Sequence, residues 1–223
     1  MNELLLRLVE DRIPAGHAPI YLPRAPRALY LVDGDLAVDF PDGGQHVPQH
    51  TAWLGDCEVT LMAGSQDARI WRWELMDAEQ PLPVELRSAP GTSSVCKLEH
   101  PVELDPRTEW LMRCDRVDFP PGGVALTHVH QGPGIRCVLT GEITIETLGE
   151  AHVHPQGQAW FELGHAPVLA PTTPDAPTTF IRCFLLPRAC RGRSSIRYVL
   201  AEDAAKPKTQ QYHVFGERFI QLN

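Results

Sequence analysis

The chain has 223 residues, 43% hydrophobic and 22% charged, with a formal net charge of −8 at pH 7 and a pI near 5.6. That length holds one or two domains with buried cores, and the acidic balance argues against nucleic acid as a partner, because phosphate binding needs a basic surface. No stretch of 18 apolar residues exists, so no membrane span is expected, and the run Leu4-Leu5-Leu6 beside Arg7, Glu10 and Asp11 does not read as a signal peptide.

Helix signals are scarce. Leu4, Leu5, Leu8 and Val9 recur at helical spacing and predict a short N-terminal helix over Glu3 to Asp11, stopped by Pro14. Beyond it lie short β-rich runs punctuated by 21 prolines and 17 glycines. Strands are expected at 28–32, 35–40, 58–63, 69–75, 110–118, 124–130, 135–139, 142–147, 158–162 and 179–186. Turn signals such as Asp33-Gly34, Pro41-Asp42-Gly43-Gly44 and Thr140-Gly141 separate them, the pattern of an all-β sandwich or barrel. The polar stretch 201–209 reads as loose, and Tyr212 to Ile220 as able to pack back. The six cysteines form no CxxC pair, and Cys137 and Cys183 sit in apolar runs, so reduced thiols and a cytoplasmic location are expected.

The chain also repeats itself. At an offset of 107 residues, segment 14–53 aligns without a gap on 121–160, and nine of the forty positions are identical, among them Gly34/Gly141, Pro48/Pro155 and Trp53/Trp160. Copies this long are duplicated domains, not solenoid units. The boundary is expected within the polar stretch Ser88 to Pro106, giving domains 1–95 and 96–223.

The pair His128-Val129-His130 occurs only in the second copy; the first has Tyr21 and Pro23 at the aligned positions. On a strand, two residues one apart share a face, so both imidazoles can reach one ion or one ligand. Gly122-x5-His128-x-His130-x10-Gly141 resembles the first signature of the cupins, from which only the glutamate is missing, its place taken by Gly134. Gly149-x5-Pro155-x-Gly157 matches the first half of the second signature, with Trp160 where its histidine belongs and Gly164 where its asparagine belongs. The resemblance covers nearly the whole chain and implies two tandem cupin barrels, of the double-stranded β-helix or jelly-roll type, in one all-β chain. The chain thus resembles a bicupin with an eroded metal motif.

It further implies a metal site of three histidines and a glutamate, of which His128 and His130 survive. Glu162 lies two residues after Trp160, on the face of the lost histidine, and is the leading candidate for a further ligand; His165 is another if its loop bends inward. The ion expected there is a divalent transition metal: Fe, Mn, Ni or Zn. Arg136 follows Gly134 by two and is sent to the barrel interior, where it either pairs with Glu162 or anchors an anionic substrate. Arg136 and Glu162 are the candidate catalytic residues. Trp160 and Tyr21 read as core, and His152 and His154 as surface residues flanking an inward Val153.

The function expected is therefore a cupin-type protein acting on a small anionic molecule in the second barrel, metal-dependent and of dioxygenase, isomerase or decarboxylase type. The alternative is a non-catalytic bicupin that binds or senses a small molecule. A monomer with internal pseudo-twofold symmetry and a homodimer both fit the tandem arrangement.

Overall fold

The structure is a computed structural model describing residues 3–86 and 89–222. It divides into two compact units between Arg107 and Thr108.

The first unit contains β1 (Leu4–Ile13), β2 (Ile20–Leu22), β3 (Arg27–Asp33), β4 (Leu36–Phe40), β5 (Gly43–Val47), β6 (Ala52–Gly55), β7 (Val59–Ala63), β8 (Ala68–Asp77) and β9 (Ser93–Val102). They form two antiparallel sheets, ordered β6-β3-β8-β1-β9 and β2-β7-β4-β5. Leu29, Leu31 and Ile70 from the first sheet pack with Ile20, Leu36, Val38 and Leu61 from the second.

The second unit repeats the plan with β10 (Trp110–Phe119), β11 (Val124–His130), β12 (Gly134–Thr140), β13 (Glu142–Thr147), β14 (Glu150–Pro155), β15 (Ala159–Glu162), β16 (Val168–Pro171), β17 (Thr178–Pro187), β18 (Ile196–Tyr198) and β19 (Gln211–Ile220). Its sheets run β15-β12-β17-β10-β19 and β14-β13-β16-β11-β18. The first of these matches its counterpart strand for strand. The second matches too, except for β18, which is added beside β11. Both units are jelly-roll barrels, and all ten strands expected from the sequence are present.

The expected N-terminal helix is a strand. β1 pairs with β8 along its whole length and with β9 on its other edge, and it is covered on both faces. Leu6 and Leu8 fill one face, while the buried charges Arg7 and Asp11 fill the other. A strand buried on both sides loses the alternation that marks half-buried strands, and its leucines then mimic a helical period. Among the described residues the one α-helix is α1 (Ala201–Ala205), inside the stretch expected to be loose. None is long and apolar enough to cross a membrane.

The expected boundary at 95/96 cuts through β9, which belongs to the first unit because it pairs with β1. β19 does the same for β10, so each barrel ends with a strand returning to its first one. The correspondence reaches single residues: Arg7 lies opposite Glu99, and Arg113 opposite Glu217. Arg113 Nε donates to Glu217 at 2.7 Å, while Arg7 approaches Glu99 at 3.7 Å.

Three side chains depart from expectation. Tyr21 is 56% exposed, since β2 turns Ile20 and Leu22 inward instead. Val153 is also 56% exposed, and His154, expected at the surface, is half-buried with its ring stacked 5.1 Å from Trp160.

Candidate functional site

The second barrel encloses a cavity of about 270 Å³ whose lining includes His128, His130, Arg136, Trp160, Glu162 and Arg182. Much of the remaining wall is apolar, from Phe119, Ala125, Ile145, Ala170, Phe180 and Ile196. β11 carries the histidine pair with both side chains inward, as alternation requires. Their rings meet edge to face at a centroid separation of 4.8 Å, and each residue is only 5% exposed.

His128 Nδ1 lies 2.7 Å from the Leu126 carbonyl. A carbonyl only accepts, so Nδ1 carries the proton and neutral His128 keeps Nε2 as an acceptor. His130 Nδ1 is 3.3 Å from the buried Ser195 hydroxyl. Burial pulls both imidazoles down, with Glu162 opposing at His128 and the charges of Arg182 and Arg136 reinforcing the effect at His130, which falls well below its ordinary value.

Arg136 and Glu162 are brought together as an ion pair, with Nη2 2.7 Å from Oε2 but out of line for a hydrogen bond. The second carboxylate oxygen, Oε1, accepts from Trp160 Nε1 at 2.8 Å. Arg136 also donates to the Gly134 carbonyl and lies 4.7 Å over the Phe184 ring. Burial pulls its guanidinium down to about 10, against the pull of Glu162. A second pair lies beside it: Arg182 donates to buried Asp115 at 2.5 Å and faces the same Phe184 ring at 4.5 Å. Burial pushes the Asp115 carboxyl up, with Arg182 opposing. Cys137 points to the opposite face from Arg136 and is remote from this chemistry, as alternation predicts.

His165 does not join the site. It is exposed in the bend between β15 and β16 and is not part of the cavity wall. That bend is held tightly: the Gly164 carbonyl accepts from His130 N at 2.7 Å, and Gly164, with φ +92°, packs on the Gly132 backbone.

The sequence reading missed the far wall. Ser194, Ile196, Tyr198, Lys208, Gln210 and Tyr212 line the cavity. β18 brings Tyr198 opposite His128 and Ile196 opposite His130. Lys208 Nζ sits 3.8 Å over the Tyr198 ring and donates to the Asp203 carbonyl. β18 has no copy in the first barrel, so repeat logic gave no signal for Ile196 and Tyr198.

No protein-family model and no curated protein matches this sequence. Solved structures do. Oxalate decarboxylase OxdC from Bacillus subtilis is similar over 90% of this chain and 73% of its own, with a TM-score of 0.61 and 12% identity. Procruciferin, the 11S globulin of Brassica napus, covers 86% of this chain and 77% of its own, with a TM-score of 0.56 and 7% identity. AerE from Microcystis aeruginosa covers 82% and 88%, with a TM-score of 0.53 and 13% identity. The chain shares the fold of these structures. At these identities the likeness speaks for fold alone.

The metal site that the resemblance implies does not fit the residues present. Among the described residues, no group of three His, Cys, Asp or Glu side chains is disposed to hold an ion. Glu162 is engaged by Arg136 and Trp160, which leaves two imidazoles beside two guanidinium groups. The missing glutamate has no room to return: a Cβ at Gly134 would overlap the Cys183 carbonyl of β17.

Proposed function

We propose that the second barrel is a metal-independent binding site for a small organic molecule with an apolar body, serving capture or sensing rather than turnover. The observation that carries this reading is the largely apolar cavity around two neutral imidazoles, beside a carboxylate already held by an arginine and a tryptophan. Such pockets bind through apolar walls and a few fixed polar groups. The anion expected from the sequence loses its anchor, because Arg136 is neutralised by Glu162 and Arg182 by Asp115. The six free thiols favour a reducing compartment such as the cytoplasm.

The test is a small-molecule screen by thermal shift on chelator-treated protein, with mass spectrometry of the recovered ligand. A binder should raise the melting temperature saturably, add about 2.7 kcal/mol at a hundred times its Kd, and return unaltered. A near-stoichiometric Fe, Mn, Ni or Zn ion that is lost in a His128→Ala/His130→Ala variant, together with conversion of the bound molecule, would overturn this reading. It would restore the metal-dependent enzyme.

A further inference from the structure

We infer that the molecule selected by this cavity presents a neutral hydrogen-bond donor, an amide N–H or a hydroxyl, to His128 and Gln210, and not a carboxylate. This inference rests on the binding reading above and specifies its ligand.

Three acceptors among the residues of the cavity wall lack a hydrogen-bond donor from the protein: His128 Nε2, Gln210 Oε1 and Glu162 Oε2, the last held beside Arg136 by charge alone. His128 donates from Nδ1 to the Leu126 carbonyl, which leaves Nε2 as its accepting atom. Gln210 donates from Nε2 to the Tyr198 hydroxyl at 3.4 Å, while its Oε1 is buried with no hydrogen-bond partner on the protein. An unmet buried acceptor has lost its water without a replacement, and a donor on the ligand supplies one. A carboxylate would add further acceptors beside them.

The charges point the same way. Both arginines on the wall face a carboxylate, buried Arg136 with Glu162 at 2.7 Å and partly buried Arg182 with Asp115 at 2.5 Å. Lys208 lies on exposed chain, against the Tyr198 ring and the Asp203 carbonyl. Its charge is screened by solvent there. A buried anion would therefore lose hydration without meeting an unpaired buried cation. In the first barrel Thr92 stands at the matching place, one residue before β9, so Gln210 is the residue that sets which head group enters here.

The experiment compares three probes with one phenyl body, 2-phenylacetamide, phenylacetate and methyl phenylacetate, by calorimetry and ligand-observed NMR on the full chain after chelator treatment. The amide should bind about tenfold or more tighter than the anion or the ester, because a site built around hydrogen bonds rejects analogues that leave it unpaired. That preference should largely vanish in Gln210→Leu and in His128→Phe, the second variant keeping a ring in place. Phenylacetate binding as well as or better than the amide would overturn the inference while leaving the binding reading intact. Failure of all three probes to bind would overturn both.

Discussion

The two barrels share strand order, register and even arginine positions, yet their interiors are built differently. Arg72 of β8 and Arg182 of β17 occupy matching places, opposite Val9 and Asp115 respectively. In the first barrel, Glu74 lies opposite Arg7 and receives Arg7, Arg27 and Arg72 at once, while Asp11 takes the other side of Arg72. In the second barrel the matching position, opposite Arg113, holds Phe184. Its ring is faced by Arg136 and Arg182, and each of these arginines has its own carboxylate. One interior is tied by a five-residue charge network; the other is divided into separate pairs beside a cavity. The histidines follow the same division, since Leu22 stands opposite Val59 where His128 stands opposite Val168. A single central residue, carboxylate in one barrel and ring in the other, therefore goes with a joined charge network or with separate pairs.

The comparison can be broken most directly at Glu74. Glu74→Gln leaves three buried guanidinium groups with Asp11 as their one remaining fully buried carboxylate, and should cost about 3–5 kcal/mol by urea denaturation. An unchanged midpoint would mean that the network does not hold the first barrel. A smaller effect is expected at Gly134. Gly134→Ala forces a Cβ against β17 and should cost about 1–3 kcal/mol, whereas a neutral result would reopen that position to a ligand side chain.

The mildest test is pH. In the folded chain, burial keeps His128 and His130 neutral, while in the unfolded chain they take up protons near pH 6.5. Below that value the unfolded state binds more protons, so stability is full above about 6.5 and falls as pH drops through it. The slope should reach at most about 1.4 kcal/mol per pH unit for each histidine. Denaturation curves from about pH 7.5 to 5.5 should show it, flattened in His128→Phe and His130→Phe. A slope identical in those variants would assign the pH response elsewhere.

Much of this was legible before any coordinates. Period-two runs and glycine turns located ten strands, and the offset of 107 residues recovered the pairing of β3 with β12 and of β6 with β15 as repeats. Strand alternation, counted from the positions that the cupin resemblance supplies, put His128, His130, Arg136 and Glu162 inside one barrel. What escaped has physical causes. β1 was hidden because its buried charges replaced the polar alternation. Tyr21 misled because a gap-free alignment ignores the irregular register of β11 between Ala125 and His128. The choice for Arg136 between ion pair and anchor turns on where Glu162 points, which is a matter of tertiary geometry. Tyr198 comes from a segment whose pattern is neither periodic nor repeated.

β18 carries one further consequence, for solution behaviour. In the first barrel the sheet ends at β2, only three residues long and flanked by Pro19 and Pro23, a poor template for another chain. In the second barrel the equivalent border is the seven-residue β11, whose free backbone groups would invite intermolecular pairing if β18 did not occupy them. The exposed margin is then β18 itself, three residues with Arg197 turned outward. A chain stripped of this short strand should expose the edge of β11 as a template for edge-to-edge pairing, so the segment that lines the cavity also covers that border.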